Sequence, residues 1–549
     1  MKKILFVMFI MAVGLTIAVY DKVPPNKVPI NIDGERLAQN IQILSSDDYE
    51  GRAPGTIGEE KTIAFLKKEF ENIGLKPGNG QSYFQGVKMV EITASPDTSM
   101  KIQTSIGVTE LAYGPGFMGS TKRVKDEVSV TDSDMIFVGY GIVAPEYNWN
   151  DYDGLDVQGK TVVVLVNDPG FATQNPALFT GNAMTYYGRW TYKYEEAARQ
   201  GAAAVIIIHE TKAASYPWAV VQGSWSGPSF SLESDDGNMS RVAFEGWVPN
   251  VEMAKIFTAA GLDYKAVTDA AATKGFKAVS LKAQMSVSLS NKIRHVVSNN
   301  VVAILPGTER PDEYIIHMAH WDHLGKDTNL VGDQIYNGAA DNASGTAGLI
   351  ELANAYMSGA QKPGRSIMFM AVTAEEQGLL GSEYYGIHPL VPLNKTVAAL
   401  NMDVLSYHGK THDVTIIGYG NSELDDYVDR AVRAQKRIAN GDSVPEKGYF
   451  YRSDHFSLAK EGVPALYFES GINSVKHGRD WLVAKNEDYE ANRYHKPSDE
   501  YSPDWDMSGA VQDLTLMYKI GLKLSQEDNF PNWRAGNEFK AKRDAMMAK

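Results

Sequence analysis

The stretch AHWDHLG, residues 319 to 325, sets two histidines and an aspartate at the end of an apolar run. His320, Asp322 and His323 are residue types that bind metals, relay protons or simply fill a strand end, and the stretch alone leaves all three readings open. Four other segments carry groups of the same kind: Asp341 in GAADNASG, the neighbours Glu375 and Glu376 in AEEQGLLGS, Asp403 in NMDV, and His495 in NRYHKPSDEY. Singly, each has an ordinary explanation, because an Asp before a helix caps it and a polar residue at a strand end or in a loop is usually solvated. The chain has no cysteine, so disulfides, thiolate catalysis and Cys-based zinc sites are excluded. Any metal must be held by His, Asp and Glu.

Short apolar runs must position these groups. EYIIHMA ends at His320, SIMFMAV ends before Glu375 and Glu376, TVAALNM ends at Asp403, and Asp341 stands just before the helical pattern GTAGLIELANAYM. NVVAIL, a helix near 422 to 439 and PALYFE continue the alternation. Buried runs alternating with helices predict an α/β fold, a mostly parallel or mixed sheet sandwiched by helices. Ligands of such sheets gather beyond the carboxyl ends of the strands, where these segments can meet. Nearer the amino terminus, Ile63, Leu66, Phe70 and Ile73 recur at three- and four-residue steps, which predicts an amphipathic helix closed by Gly74. Between 128 and 275 the texture turns to strand runs, MIFVGYGIV, TVVVLV and AVIIIHE, which predicts a smaller β-rich insert. The main domain is then expected in two parts, 30–127 and 276–549, around an insert at 128–275.

With 549 residues and 44% hydrophobic content the chain can bury large cores. Its formal charge of -14, without a Lys/Arg-rich block, argues against nucleic acid or an anionic membrane surface as the main partner. Residues 1–20, MKKILFVMFIMAVGLTIAVY, have the form of a secretory signal peptide, and no later segment reads as transmembrane. The expected location is exported, periplasmic or extracellular, without stable membrane insertion once the signal is removed. GLDVQGKT, 154 to 161, spells a phosphate loop, yet Thr161 opens the strand run TVVVLV where a helix start is needed, so nucleotide binding is not expected. There is no GxSxG elbow, and His209-Glu210 lacks the second histidine of HExxH.

Taken jointly, AHWDHLG, GAADNASG, AEEQGLLGS, NMDV, RSDHF with GVPAL, and YHKPSDEY resemble the co-catalytic dizinc metallopeptidases across residues 300 to 505. That superfamily contains secreted aminopeptidases, glutamate carboxypeptidase and the catalytically silent transferrin receptor. The resemblance implies two Zn²⁺ ions bridged by Asp341, with His320 and Asp403 completing one site and Glu376 and His495 the other. It further implies Glu375 as the general base for a water between the metals, and Tyr451, in YFYRSDHF, as a substrate-binding residue. Two zincs, three carboxylates and a hydroxide sum to zero charge, as a buried site demands. Asp322, two residues beyond His320 on an extended chain, is expected to accept the ring's other N–H and fix its tautomer. His323 and His317 are assigned structural roles. The insert resembles the protease-associated domain of secreted members. The implied function is peptide hydrolysis, with removal of amino-terminal residues preferred. The alternatives are a glutamate-carboxypeptidase type, for which Arg452 would grip a carboxylate, a receptor-like docking protein of the same fold, and a single-zinc glutaminyl cyclase.

Overall fold

The structure, a computed structural model, describes residues 30–548; the signal segment, residues 1–20, lies outside the described residues. Among the described residues no helix is long and apolar enough to cross a membrane. Four strands that read as buried runs lie side by side and parallel: Arg365–Val372, Arg310–His320, Thr396–Asn401 and Ala465–Ser470. Antiparallel strands flank them, with Val301 to Leu305 on one side and Asp413–Ile417 on the other. The sheet is therefore mixed. Successive side chains on a strand point to opposite faces, so Ile315 and Ala319 join one core cluster while Ile316 and Met318 join the other.

Each face is closed by helices. Gly34–Leu44, Ile57–Ile73, Gly345–Ser358 and Ser508–Gln526 pack together over the first. The second carries Leu380–Ile387 and His455–Lys460. The Ile57–Ile73 helix starts where Thr56 accepts the Gly58 amide at 3.2 Å and stops at Gly74, whose φ of 89° only glycine adopts freely. Leu66 and Phe70 face the core, as their spacing predicts.

The segment from 128 to 275 builds its own layer. Strands Glu127–Phe137, Thr161–Leu165, Ala204–His209 and Phe244–Pro249 run parallel in that order, with helices Trp190–Arg199 and Asn250–Ala259 packed on them. Sheet pairing crosses both ends of this segment. Met118–Ser120 pairs with Phe244–Pro249, and the 27-residue strand Val279–Leu305 pairs successively with Glu127–Phe137, Phe84–Pro96 and Arg365–Val372. That strand joins the insert to the main sheet. MIFVGYGIV is not one strand: it ends at Phe137, because Gly139 and Gly141 take φ of 67° and 63° and turn the chain. Thr161 does open a strand, so the phosphate-loop spelling has no loop to make.

Candidate metal centre

The parallel strands end level with one another. His320 pairs with Val372 and Met318 with Asn401, so the residues that follow, 321–323, 373–376 and 402–403, converge on one crevice. Asp341 reaches it from the turn 339–344 that leads into helix Gly345–Ser358. The turn is tightly specified. A Cβ on Gly338, whose φ is 54°, would lie 2.3 Å from the Asp341 carbonyl, and one on Gly345 would lie 2.4 Å from Asn342 Oδ1. Asn342 joins the turn to the Asp403 loop, accepting from the Gly345 and Val404 amides and donating to the Met402 carbonyl.

His320 Nε2 stands 3.3 Å from Asp341 Oδ1 and 3.3 Å from Asp403 Oδ1. On the other side of Asp341, His495 Nε2 stands 3.3 Å from Asp341 Oδ2 and 3.0 Å from Glu376 Oε2. Two donor groups thus share the single carboxylate of Asp341. Ligands about 2.0–2.1 Å from a tetrahedral zinc lie about 3.3 Å from each other, so these spacings fit the edges of such a polyhedron. The donor chemistry, imidazole nitrogen and carboxylate oxygen without thiolate, suits zinc. His320 also presents the correct nitrogen. Its Nδ1–H donates to the Asp322 carbonyl at 3.2 Å, so that in the neutral ring Nε2, facing the two carboxylates, is the nitrogen free to bind a metal.

Crowding of acids shows in the titration of the site. Burial opposes charge on both rings, yet Glu376 and Asp341 lift His495 to about 10, and Glu375 and Asp403 hold His320 well above its usual range. Burial, with Asp403 and Glu376 beside it, pushes Glu375 well up despite His320. Against burial and Asp341, His323 and His495 hold Glu376 down at about 2. A site of this kind favours cations of any sort.

Two of the roles expected from the sequence look different in three dimensions. The Asp322 carboxylate is 3.8 Å from His320 Nδ1, too far for a hydrogen bond; it accepts the amides of Glu375 at 3.0 Å and Glu376 at 3.4 Å instead. Asp322 thereby holds the two glutamates, while its backbone orients the histidine. Tyr451 is not brought to the cluster. Its hydroxyl donates to Glu538 at 2.9 Å and its ring packs against Phe456 and Tyr186. Tyr494 lies there instead, stacked on His495 at 3.9 Å and subject to the charges of Asp341 and Glu376.

Sequence reasoning gave His323 a structural role and missed three further groups, Asp499, Ser453 and Arg52. His323 Nδ1 lies 2.6 Å from Glu376 Oε1, and the donor atoms of His323, Asp341 and Glu376 lie close enough together to hold a metal, as do those of His320, Asp341 and Asp403 and those of His320, Glu375 and Glu376. Asp499 accepts the amides of Ala340 and Asp341. Ser453 donates to Asp403 Oδ2 at 2.7 Å. Arg52 is buried and donates to the carbonyls of Leu44, Trp321, Asn337 and Gly338, clamping the two ends of the site. His323 and Asp499 stand inside motifs already in view; Arg52 lies far upstream with no spacing to betray it.

Residues 300–519 match Peptidase family M28. The match covers 220 of the chain's 549 residues, less than half of it. The matched segment contains all five predicted ligands and ends before the last helix, and it begins beyond the 128–275 insert, which it therefore does not identify as a protease-associated domain. The mouse protein named Aminopeptidase NAALADL1 is 33% identical over 133 residues, 23% of this chain and 16% of that protein. A Glutamate carboxypeptidase 2 homolog of Caenorhabditis elegans is 32% identical over 138 residues, 24% of this chain and 16% of that one. A Probable zinc metalloprotease of Pyrenophora tritici-repentis is 41% identical over 213 residues, 34% of this chain and 46% of that one. The match thus spans less than half the length of each of these relatives. Among solved structures, an aminopeptidase from Aneurinibacillus sp. strain AM-1 is similar at 18% identity and a TM-score of 0.45, covering 90% of this chain and 94% of that one.

Proposed function

We propose that this chain is an exported dizinc metallopeptidase that removes amino-terminal residues from peptides. The observation that carries the reading is the sharing of Asp341 between two donor sets, His320 with Asp403 and Glu376 with His495, in one crevice. Two zinc ions held by these residues would supply the Lewis acidity that lowers the pKa of a water and polarises a scissile carbonyl. The protein's own part is positional and protolytic. Glu375 Oε2, 4.0 Å from His320 Nε2, takes a proton from the attacking water and returns it to the departing amine. Asp322 fixes that glutamate through its amide, and the Asp499 and Arg52 contacts keep the Asp341 turn from relaxing.

The choice of peptide end is supported by Glu469. This carboxylate is exposed and accepts the Tyr467 hydroxyl at 2.6 Å, and the same hydroxyl lies 3.2 Å from the Asp403 carbonyl. An open acceptor beside the centre suits a peptide's free ammonium. Export rests on the pattern of residues 1–20. A panel of peptides with free or blocked termini tests the reading. Hydrolysis that requires a free amino terminus is expected; hydrolysis confined to amino-blocked peptides with a free carboxylate would replace it with the carboxypeptidase alternative.

A further inference from the structure

Glu375 and Glu376 sit on a short loop whose two ends are held by one side chain. The loop leaves strand Arg365–Val372 at Thr373 and enters helix Leu380–Ile387. Strand Val279–Leu305 pairs with Arg365–Val372 only as far as Val301 opposite Ala371, so the Thr373 amide lies beyond the last backbone pair. Asn300 takes over there with its side chain. Its Oδ1 accepts the Thr373 amide at 3.0 Å and its Nδ2 donates to the Gly381 carbonyl at 2.9 Å, so one carboxamide spans the exit and the return of the loop. Nδ2 also donates to Gln85 Oε1 at 3.1 Å, and Gln85 is itself anchored on the His388 carbonyl at 2.8 Å. Asn300 and Thr373 are both fully buried.

The neck of the loop is tight. The Gly381 amide donates to the Thr373 carbonyl at 2.9 Å, and a Cβ on Gly381 would lie 2.3 Å from that carbonyl and 2.5 Å from Asn300 Oδ1. Within the loop, Ala374 and Leu379 take φ of 54° and 64°, a region that residues with a side chain keep only where their surroundings hold them. These two residues stand on either side of the glutamates. Asp322 ties down the amides of the glutamates themselves; the carboxamide of Asn300 ties the neck behind them. We propose that Asn300 is a positioning residue for Glu375: by clamping Thr373 to Gly381 it fixes the loop conformation that aims this carboxylate toward the space in front of His320. The catalytic consequence rests on the peptidase reading. A carboxamide that served the core alone would lower stability when removed, without singling out the step that Glu375 performs.

Asn300→Ala, assayed at saturating Zn²⁺, is expected to keep KM near the wild-type value and to lose about 10- to 100-fold in kcat, the scale of an ångström's misplacement of a reacting group. In the Glu375→Gln background the same substitution should change kcat little, because no base is left to misplace and residues that act as a unit do not multiply their losses. An undiminished kcat in Asn300→Ala, or losses that multiply across the two substitutions, would overturn the role. Hydrogen–deuterium exchange of the zinc-loaded proteins reads the clamp without turnover. The amides of Thr373, Leu380 and Gly381 are expected to exchange faster in Asn300→Ala while strand Arg365–Val372 stays protected, and unaltered protection of those three refutes the clamp. Should Asn300→Ala fail to fold, Asn300→Asp carries the same comparisons, since it keeps the shape and the acceptor for Thr373 but has no N–H for Gly381. Failure of both variants to fold would assign Asn300 to the core and overturn the positioning role. Should the wild type cleave no peptide, the peptidase reading fails and exchange alone decides whether Asn300 holds the loop.

Discussion

Glu375 and Glu376 are chain neighbours with separate tasks. Glu376 lies between His323 and His495, whereas Glu375 points toward the space in front of His320. Removing the charge of Glu375 while keeping its shape should therefore spare the donor sets and harm proton transfer. Glu375→Gln is expected to retain both zinc ions and to lose about 10²- to 10⁴-fold in kcat, measured alongside metal content. Turnover near the wild-type rate would remove Glu375 from the proton path. At this scale much was legible, for a simple reason: His320, Glu375, Glu376 and Asp403 each follow an apolar run, so the sequence itself announces a strand end. Tyr451 was misplaced because a residue in a short turn can project either way, and nothing in YFYRSDHF distinguishes a ring facing Glu538 from one facing the crevice. Arg52 was invisible because its four partners are backbone carbonyls, which leave no trace in residue type.

The elements hold the site through close backbone approach more than through side-chain size. Gly345 begins its helix with an ordinary φ of −67°, so its necessity is spatial: a Cβ there would meet Asn342 Oδ1 at 2.4 Å and the Met402 carbonyl at 2.8 Å. Both belong to the link between the Asp341 turn and the Asp403 loop. Gly345→Ala is expected to cost about 1–3 kcal/mol in denaturant unfolding, the usual range for overpacking. Weaker zinc retention should accompany it, since Asn342 must move. An unchanged midpoint and metal content would show that the link tolerates displacement. Buried parallel strands and the helices with clear three- and four-residue repeats were readable from periodicity. The long strand Val279–Leu305 was not. Its alternating Leu281, Ala283, Met285, Val287 and Leu289 face one core, but the polar residues between them read as a boundary when taken without their partners.

Across the whole molecule, two neutral histidines make stability depend on acid. His317, on strand Arg310–His320, and His455, at the start of helix His455–Lys460, are fully buried, and burial lowers each from the usual 6.5 to about 3. The unfolded chain binds protons below about pH 6.5 that the folded chain refuses, so their contribution is complete above that pH. It declines as the pH falls toward about 3, by about 1.4 kcal/mol per pH unit for each histidine. Thermal unfolding followed from pH 7 to pH 4 should show this decline, and His317→Gln should shallow it. A slope unaltered by that substitution would place the acid sensitivity elsewhere. The joining of insert and main domain also belongs to this scale: Lys460 pairs with Glu195 at 2.8 Å, and the Met184 amide donates to the Pro445 carbonyl at 3.1 Å. None of these long-range partners could be paired from sequence, because each is a single contact between segments that carry no shared pattern.

Metal content measured against activity tests the two-zinc centre most directly. Protein purified without chelators and analysed by elemental mass spectrometry should carry two zinc ions per chain; dialysis against a chelator should abolish peptide hydrolysis, and added Zn²⁺ should restore it. Metal-free protein that still hydrolyses peptides after exhaustive chelation would contradict a reaction run at that centre.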